Sequence, residues 1–222
     1  MELYEALYTT RSMRRLKPDS IPHEVQARIL DAAIRAPSGG NTQRWRFLLV
    51  DDPALRNELG PLYRACVEQL WSSPAYAQRI AAARAAPDDP VSVGMLRMLR
   101  SAQYLADHFE ATPLLLFAFA QTDPTGSSIL PAIWSAMLAA RAEGVGSTLT
   151  TILRFRKDEV DQLLGVPEGQ GWEMAGCVTL GYPTGAWGVA ARRPVDEVAA
   201  RNGWSGSLGF SVPTPLWPGA TS

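Results

Sequence analysis

The stretch APSGGNTQRWRF, residues 36–47, lies between a helix-like run and a short apolar run at 47–50, which predicts a strand. It places the small residues Ser38 to Gly40 next to the amide side chains of Asn41 and Gln43. Small residues let the backbone approach a flat surface closely, and amide side chains carry both donors and acceptors for the edge of a ring. A polar turn between helix and strand is the commoner role of such a run. The choice between these two interpretations depends on the residues found elsewhere in the chain.

The chain alternates between helical and strand-like patterns. The residues 113–120 are apolar throughout, which predicts a strand that is buried on both faces. Long helical patterns separated by short strands predict an α+β fold, an α/β sandwich with helices around one sheet. The predicted helices cover 2–10, 22–36, 53–70, 94–110, 128–143 and 157–164, and the predicted strands cover 47–50, 113–120, 148–153 and 174–180.

Two segments stand outside this alternation. Residues 72–90 are rich in Ala, Pro and Asp, and we expect a mobile helix-and-loop insertion there that could act as a lid. Residues 1–204 contain no linker or repeat and are expected to form a single domain, followed by a C-terminal extension at 205–222. The end of the chain is rich in Gly, Pro and Ser, so it is either a disordered tail or an arm on a partner, held by Trp204 and Trp217.

The composition excludes several classes of function. The 21 basic and 22 acidic residues give a net charge of −1, which predicts neither a nucleic-acid partner nor a membrane surface. Two cysteines, expected to be reduced, and an N-terminus without a signal peptide suggest a cytoplasmic protein. With only His23 and His108 and no metal-binding or GxSxG motif, the sequence predicts no metal site and no serine hydrolase.

Two arginine clusters suggest a binding site for phosphate. Arg11, Arg14 and Arg15 lie with Ser12 near the N-terminus, and Arg192 and Arg193 follow the last predicted strand. The planar guanidinium suits phosphate, and a serine hydroxyl adds a hydrogen bond, although any one arginine is more often on a solvated surface. Together with the amide-rich loop, the clusters suggest a ligand with a flat ring and a phosphate tail, and flavin mononucleotide (FMN) fits this description.

Six motifs in order resemble the FMN-dependent nitroreductase family, from about residue 4 to 204. One departure is Arg44, where many members carry proline between the Gln and Trp of the flavin loop. The matching segments are Arg11-Ser-Met-Arg14, the flavin loop 37–43 with Trp45, Ser128-Ile-Leu-Pro131 with Trp134, the ring segment 144–151, 164–168 with 181–183, and the closing motif 192–198.

The resemblance implies a nitroreductase-like fold, with a central mixed but mainly antiparallel sheet between helices, and an obligate homodimer with flavin at the subunit interface. The apolar helix 128–143 fits such an interface, but it fits a monomer core equally well. By resemblance, the phosphate and ribityl chain are held by Arg11, Ser12, Arg14 and one or both of Arg192 and Arg193. The loop residues Pro37, Ser38, Gly39, Asn41 and Gln43 approach the isoalloxazine, often that of the neighbouring subunit, and Leu149 and Thr150 line the ring.

The resemblance also implies an FMN-dependent oxidoreductase that uses NADH or NADPH in a ping-pong cycle. The expected acceptors are electron-poor small molecules such as nitroaromatics, quinones and activated alkenes. Since the flavin carries the chemistry, no catalytic side chain is expected. The alternatives are other flavin chemistry on the same scaffold (dehalogenation, desaturation of a natural product or cleavage of flavin), a flavin-binding protein without turnover, and a domain without a cofactor.

Overall fold

The computed structural model describes residues 1–212, 215–217 and 219, and its centre is a four-stranded sheet. The strands are β1 (Trp45–Val50), β2 (Leu114–Ala120), β3 (Gly146–Thr150) and β4 (Glu173–Gly181). Their order is β1-β2-β4-β3, and each neighbouring pair is antiparallel. In the described residues, the parallel pairing is a single bridge between Ser12 and Ser147. The predicted α+β sandwich with a mainly antiparallel central sheet is confirmed.

Seven α-helices surround this sheet in the described part of the chain. They cover both of its faces, so that the sheet itself lies in the middle of the molecule. The helices are α1 (Leu3–Thr9), α2 (His23–Ala33), α3 (Pro53–Ser72), α4 (Pro74–Ala85), α5 (Pro90–Asp107), α6 (Ile129–Ala142) and α7 (Lys157–Leu164).

Strand β2 forms the centre of both hydrophobic cores because its side chains alternate between the two faces. Leu114 and Leu116 face a core that α2 and α6 complete, whereas Leu115 and Phe117 face a core made with α3 and α5. Every residue of β2 is buried. This is the two-sided burial that the uninterrupted apolar run predicts.

The segment 72–90 contains a full helix between two others, and the predicted boundaries there were wrong. Helix α3 continues to Ser72, and α5 begins at Pro90 rather than near Gly94. Helix α4 fills most of the interval and packs against α3 and α5, burying Ile80 and Ala83. The role of this segment as a lid stays a proposal.

The bounds of three other elements also differ from the predicted ones. Strand β1 begins at Trp45, and β3 runs over Gly146–Thr150, whereas the sequence predicted strand over 148–153. Residues 152–156 instead form a 3₁₀ helix that leads into α7. Helix α2 ends at Ala33 and does not reach 36.

The C-terminal segment folds back onto the first helix of its own chain. The rings of Trp217 and Tyr8 lie 5.6 Å apart, and the Leu216 N–H donates to the Tyr8 hydroxyl at 3.2 Å. The carboxylate of Asp196 accepts the Val212 N–H at 3.0 Å. Trp204, by contrast, is 99% exposed. The described part of the extension therefore lies on α1 of its own chain through Trp217, whereas the sequence predicted a disordered tail or an arm on a partner held by both tryptophans. Positions 213, 214, 218 and 220–222 lie outside the described residues.

Candidate functional site

The N-terminal arginine cluster is held against the first residues of β3. The Met13 N–H donates to the Ser147 carbonyl at 3.0 Å, and the Thr148 hydroxyl donates to the Met13 carbonyl at 3.1 Å. A Cβ on Gly146 would lie 2.9 Å from the Cβ of Met13, so this close approach requires glycine. The cluster therefore lies where β3 begins and where its neighbour β4 ends at Gly181.

A cavity of about 370 Å³ opens beside this cluster. Four of its lining residues are arginines, and none is acidic. Three of the lining residues, Arg11, Ser12 and Arg14, belong to the predicted phosphate-binding set. The others are Met13, Arg15, Arg97, Ser101, Thr184, Gly185 and Ala186.

The four guanidinium groups of the cavity have little negative charge to balance them. Arg11 Nη2 donates to the Ala186 carbonyl at 3.1 Å, and Arg14 Nη1 donates to Ser101 Oγ at 3.3 Å. Burial lowers the pKa of Arg14. None of the four forms an ion pair with any residue that the structure describes. A partly buried guanidinium without a counter-charge is unfavourable, so the cavity favours an anion.

Neither of the predicted ring-lining residues of β3 lines this cavity, although Thr150 is connected to Arg14 through Tyr63, and Leu149 packs against the core that α2 and α6 complete. Thr150 is buried and Leu149 is half-buried. The phenol of Tyr63, on α3, is buried beside Thr150 and Arg14, and this burial raises the pKa of Tyr63. Tyr63 also stacks on Phe109 with ring centroids 4.1 Å apart, which fixes its position. One chain therefore brings the N-terminal arginines and β3 together.

The predicted flavin loop, 37–43, has an irregular backbone with its side chains largely in solvent. Gly40, Asn41 and Gln43 have φ of 58°, 53° and 49°, in the left-handed region that non-glycine residues seldom adopt. Two hydrogen bonds hold this conformation: the Gln43 N–H donates to Ser38 Oγ at 3.1 Å, and the Gly39 N–H donates to the Ser128 hydroxyl oxygen at 3.2 Å. Such strain is typical of ligand-binding segments.

The loop and the arginine cluster lie at opposite ends of the sheet. The loop leads into Trp45, which pairs with Ala120, and Ala120 pairs with Glu173 at the start of β4. The cluster lies beside Gly181 at the other end of that strand. At about 3.3 Å per residue, these ends of β4 are roughly 25 Å apart. The structure of one chain therefore does not bring the loop and the arginine cluster together.

Arg192 and Arg193 line a different cavity, of about 590 Å³, together with Leu7, Tyr8 and Leu216. Both arginines are exposed. The structure places neither of them in the lining of the Arg11 cavity. Their assignment to the phosphate stays a proposal.

Arg97 and Ser101 were not predicted as site residues, and Arg15 was predicted only as a member of the N-terminal arginine cluster, without a role of its own. Arg15 directly follows the recognised Arg11-Ser-Met-Arg14 motif. Arg97 and Ser101 are four residues apart on α5, so one face of that helix presents both to the cavity. This spacing was visible in the sequence, but the packing of α5 against the N-terminal segment was not.

Two kinds of feature are absent from the described residues. No group of three or more His, Cys, Asp and Glu side chains there is arranged to hold a metal ion. Within the same residues, no helix has the length and apolar character to cross a bilayer.

Comparison with known proteins gives consistent matches. The model of the nitroreductase family matches residues 7–182. The chain is 30% identical over 190 residues to an NADH dehydrogenase of Thermus thermophilus, covering 85% of this chain and 90% of that protein. It is 29% identical over 195 residues to a 5,6-dimethylbenzimidazole synthase of Rhodobacter capsulatus, covering 82% and 83% of the two chains.

A solved structure supports the fold. Oxidized iodotyrosine deiodinase bound to FMN and 3-iodo-L-tyrosine superimposes with a TM-score of 0.67 at 24% identity, covering 86% of this chain and 95% of that one. With the family match over residues 7–182, this agreement in fold shows that the chain belongs to the nitroreductase family.

Proposed function

We propose that this chain is an FMN-dependent oxidoreductase that uses NADH or NADPH to reduce electron-poor small molecules such as nitroaromatics, quinones or activated alkenes. The observation that carries the proposal is the cavity beside β3, with four arginines and no acidic residue in its lining. Its charge and position fit the phosphate end of a flavin whose ring lies along Leu149 and Thr150. The iodotyrosine deiodinase that shares this fold was solved with FMN bound.

The residues that line the arginine cavity fit the phosphate and ribityl chain of FMN. Arg11 and Arg14 would donate charge-assisted hydrogen bonds to the phosphate, and the Ser12 hydroxyl would donate a third. Arg192 and Arg193 are kept in this proposal because they continue the segment that lines the cavity at Thr184 to Ala186. Either could reach the cavity only if the segment after Ala186 adopts another path in the assembled protein.

A second subunit would complete the binding site of the flavin ring. The loop Pro37, Ser38, Gly39, Asn41 and Gln43 is too far along the sheet to serve the cavity of its own chain, so we propose that it serves the partner's flavin. Helix α6 supplies apolar surface for this assembly, because Leu130 and Trp134 are 43% and 40% exposed. These two features support a homodimer with its flavin sites at the subunit interface.

When bound, FMN would supply the redox chemistry by taking a hydride from the nicotinamide and passing the electron pair to the acceptor. The residues of the chain bind and orient the cofactor. The left-handed backbone at Gly40 and Asn41 lets the loop approach a flat ring, and the amide side chains offer hydrogen bonds to its edge. No side chain of the protein needs to transfer a proton for the hydride step.

The alternative is other flavin chemistry on the same scaffold. Relatives of similar identity are named as an NADH dehydrogenase and as a 5,6-dimethylbenzimidazole synthase, and a deiodinase shares the fold. Dehalogenation, desaturation and flavin cleavage therefore compete with reduction of nitroaromatics or quinones. Binding of flavin without turnover is the non-enzymatic alternative. A cytoplasmic location is part of the proposal and accords with two free cysteines, Cys66 and Cys177.

Rapid mixing of the FMN-loaded protein with NADH or NADPH, without oxygen, tests this function. We expect loss of flavin absorbance near 450 nm, roughly within seconds at millimolar donor, and its return when a quinone or nitroaromatic is added. Bound flavin that neither donor bleaches would contradict the proposed reductase. A dehydrogenase role would then be tested by bleaching with the reduced organic substrate, and its absence would favour flavin storage.

A further inference from the structure

The arginine cavity carries more positive charge than one phosphate can balance. Its four guanidinium groups bring four positive charges, and no lining residue is acidic. A phosphate monoester carries about 1.5 to 2 negative charges at neutral pH. Roughly two positive charges would therefore stay uncompensated after FMN had bound. This argument rests on the proposed function.

The four arginines divide into an inner pair, whose guanidinium groups donate hydrogen bonds to the protein, and an outer pair. Arg11 donates to the Ala186 carbonyl and Arg14 donates to Ser101 Oγ; Arg14 is half-buried, whereas Arg11 is exposed. Arg15 and Arg97 are exposed and lie at the rim. Within the described residues, the guanidinium group of neither Arg15 nor Arg97 makes a hydrogen bond or an ion pair.

Arg15 is nevertheless held in place. Its guanidinium carbon lies 4.3 Å from the centroid of the Tyr104 ring, so the group is stacked on the ring face. A stacked guanidinium keeps the N–H groups at its edge free to bind an anion. Tyr104 belongs to α5, as does Arg97, which lies two helical turns earlier. One helix thus sets the positions of both rim arginines.

We propose that Arg15 and Arg97 form a second anion subsite, which binds a phosphate group of the electron donor. NADH and NADPH both carry a pyrophosphate, and NADPH carries an additional 2′-phosphate. The inner pair would hold the cofactor while the rim pair binds the dinucleotide that enters and leaves in each turnover. The rim position suits this exchange because exposed groups are bound and released without opening the protein.

The test compares R15Q and R97Q with the control R100Q, in the FMN-loaded protein. Arg100 is exposed on the same helix but does not line the cavity. Calorimetry would give the Kd of NADP⁺ and NAD⁺, and steady-state rates would give KM and kcat for the two donors. We expect each rim variant to raise the donor Kd and KM about tenfold with kcat and FMN affinity unchanged, as for loss of one charge-assisted hydrogen bond.

The two donors distinguish the phosphate that is bound. An increase confined to NADP⁺ and NADPH would identify the 2′-phosphate, and an equal increase for both dinucleotides would identify the pyrophosphate. Donor constants that match R100Q would overturn the subsite while leaving the proposed reductase intact. A loss of FMN affinity in R97Q as large as in R11A would also overturn it, because all four arginines would then serve the cofactor. A chain that binds no FMN would overturn both proposals.

Discussion

At the scale of single residues, Arg11 is the most direct test of the phosphate site. The variant R11A should lose about 1.5–3 kcal/mol of FMN binding free energy, the usual size of a hydrogen bond to a charged group. Its thermal unfolding should be unchanged because Arg11 is exposed. Titration of the apoprotein with FMN, followed by flavin fluorescence, measures this loss.

The control for R11A is R84A, which removes an exposed arginine on α4 outside the cavity. The same titration of R192A and R193A tests the proposed role of the C-terminal arginines. Unchanged FMN affinity in R11A would remove this residue from the site. Unchanged affinity in both C-terminal variants would limit the phosphate site to the N-terminal cluster.

Arg141 shows a residue whose importance only the structure reveals. It is 6% exposed, its Nε donates to Thr9 Oγ1 at 2.7 Å, and its Nη2 lies 3.3 Å from a Glu5 carboxylate oxygen. Its guanidinium carbon also lies 4.1 Å from the centroid of the Trp187 ring. This one side chain therefore joins α1, α6 and the segment after β4.

The variant R141M should lower the free energy of unfolding by about 2 kcal/mol, because it leaves Thr9 and the partly exposed Glu5 without their partner. Urea denaturation at pH 7 measures this loss. The control R28A breaks the surface pair with Glu143, in which the arginine is 54% exposed, and should cost at most about 1 kcal/mol. Equal losses in the two variants would mean that burial of Arg141 has no energetic consequence.

At the scale of elements, the start of α6 links the flavin loop to the sheet. The Asp123 carboxylate accepts the N–H groups of Ser128 and Ile129 at 3.0 and 2.9 Å. Ser128 in turn accepts the Gly39 N–H from the loop. Burial alone would raise the pKa of Asp123, but these hydrogen bonds outweigh it and lower the pKa.

The variant D123A should lower the free energy of unfolding at pH 7 by about 1 kcal/mol, as loss of a helix cap does. Because the folded-state pKa is lowered, this contribution is complete above the unfolded-state pKa of about 3.9 and disappears as pH falls through the folded-state value. Denaturation curves of wild type and D123A should therefore differ most above pH 5 and converge at acid pH. A stability difference between wild type and D123A that widens on acidification would contradict the capping role of Asp123. The control is D88A, which removes a carboxylate from an exposed loop.

Local signals predicted some elements well. Helix α7 covers 157–164 as predicted and ends at Gly165, whose φ of 67° is the left-handed conformation that glycine favours. Within the expected helix-and-loop insertion, the bounds of α4 could not be predicted, because this helix buries only Ile80 and Ala83 and so has almost no apolar stripe. Its start, Ser73-Pro74, and that of α5, Asp89-Pro90, carry the proline of a first helical turn, which was the available signal.

The candidate site was predictable in part. Arg11, Ser12 and Arg14 lie within four positions of the sequence, so one motif includes all three, and the structure places them at one cavity whose role stays a proposal. Arg97 and Ser101 come to that cavity only through the long-range packing of α5. Sequence spacing also gave no indication that the loop 37–43 and the arginines lie at opposite ends of the sheet.

At the scale of the whole molecule, the proposed function needs a second copy of the chain, because the loop and the arginines lie at opposite ends of the sheet. We expect a dimer in size-exclusion chromatography with light scattering. The variant W134E places a charge on the exposed apolar surface of α6, so we expect a monomer that has also lost FMN affinity. The control V91E changes an 81%-exposed valine on α5 and should remain a dimer. A wild-type monomer that binds FMN normally would contradict the shared site.

The central claim is that each chain holds one FMN, and the cofactor content of the purified protein tests it most directly. The visible spectrum of the protein is recorded, the ligand is released by heat, and its mass and amount are measured. The account predicts a yellow protein that releases FMN at about one per chain, with the N-terminal arginines of one subunit and the loop of the other around it. A colourless protein that also fails to take up added FMN would contradict the account, and the four arginines would then form an anion site with another purpose.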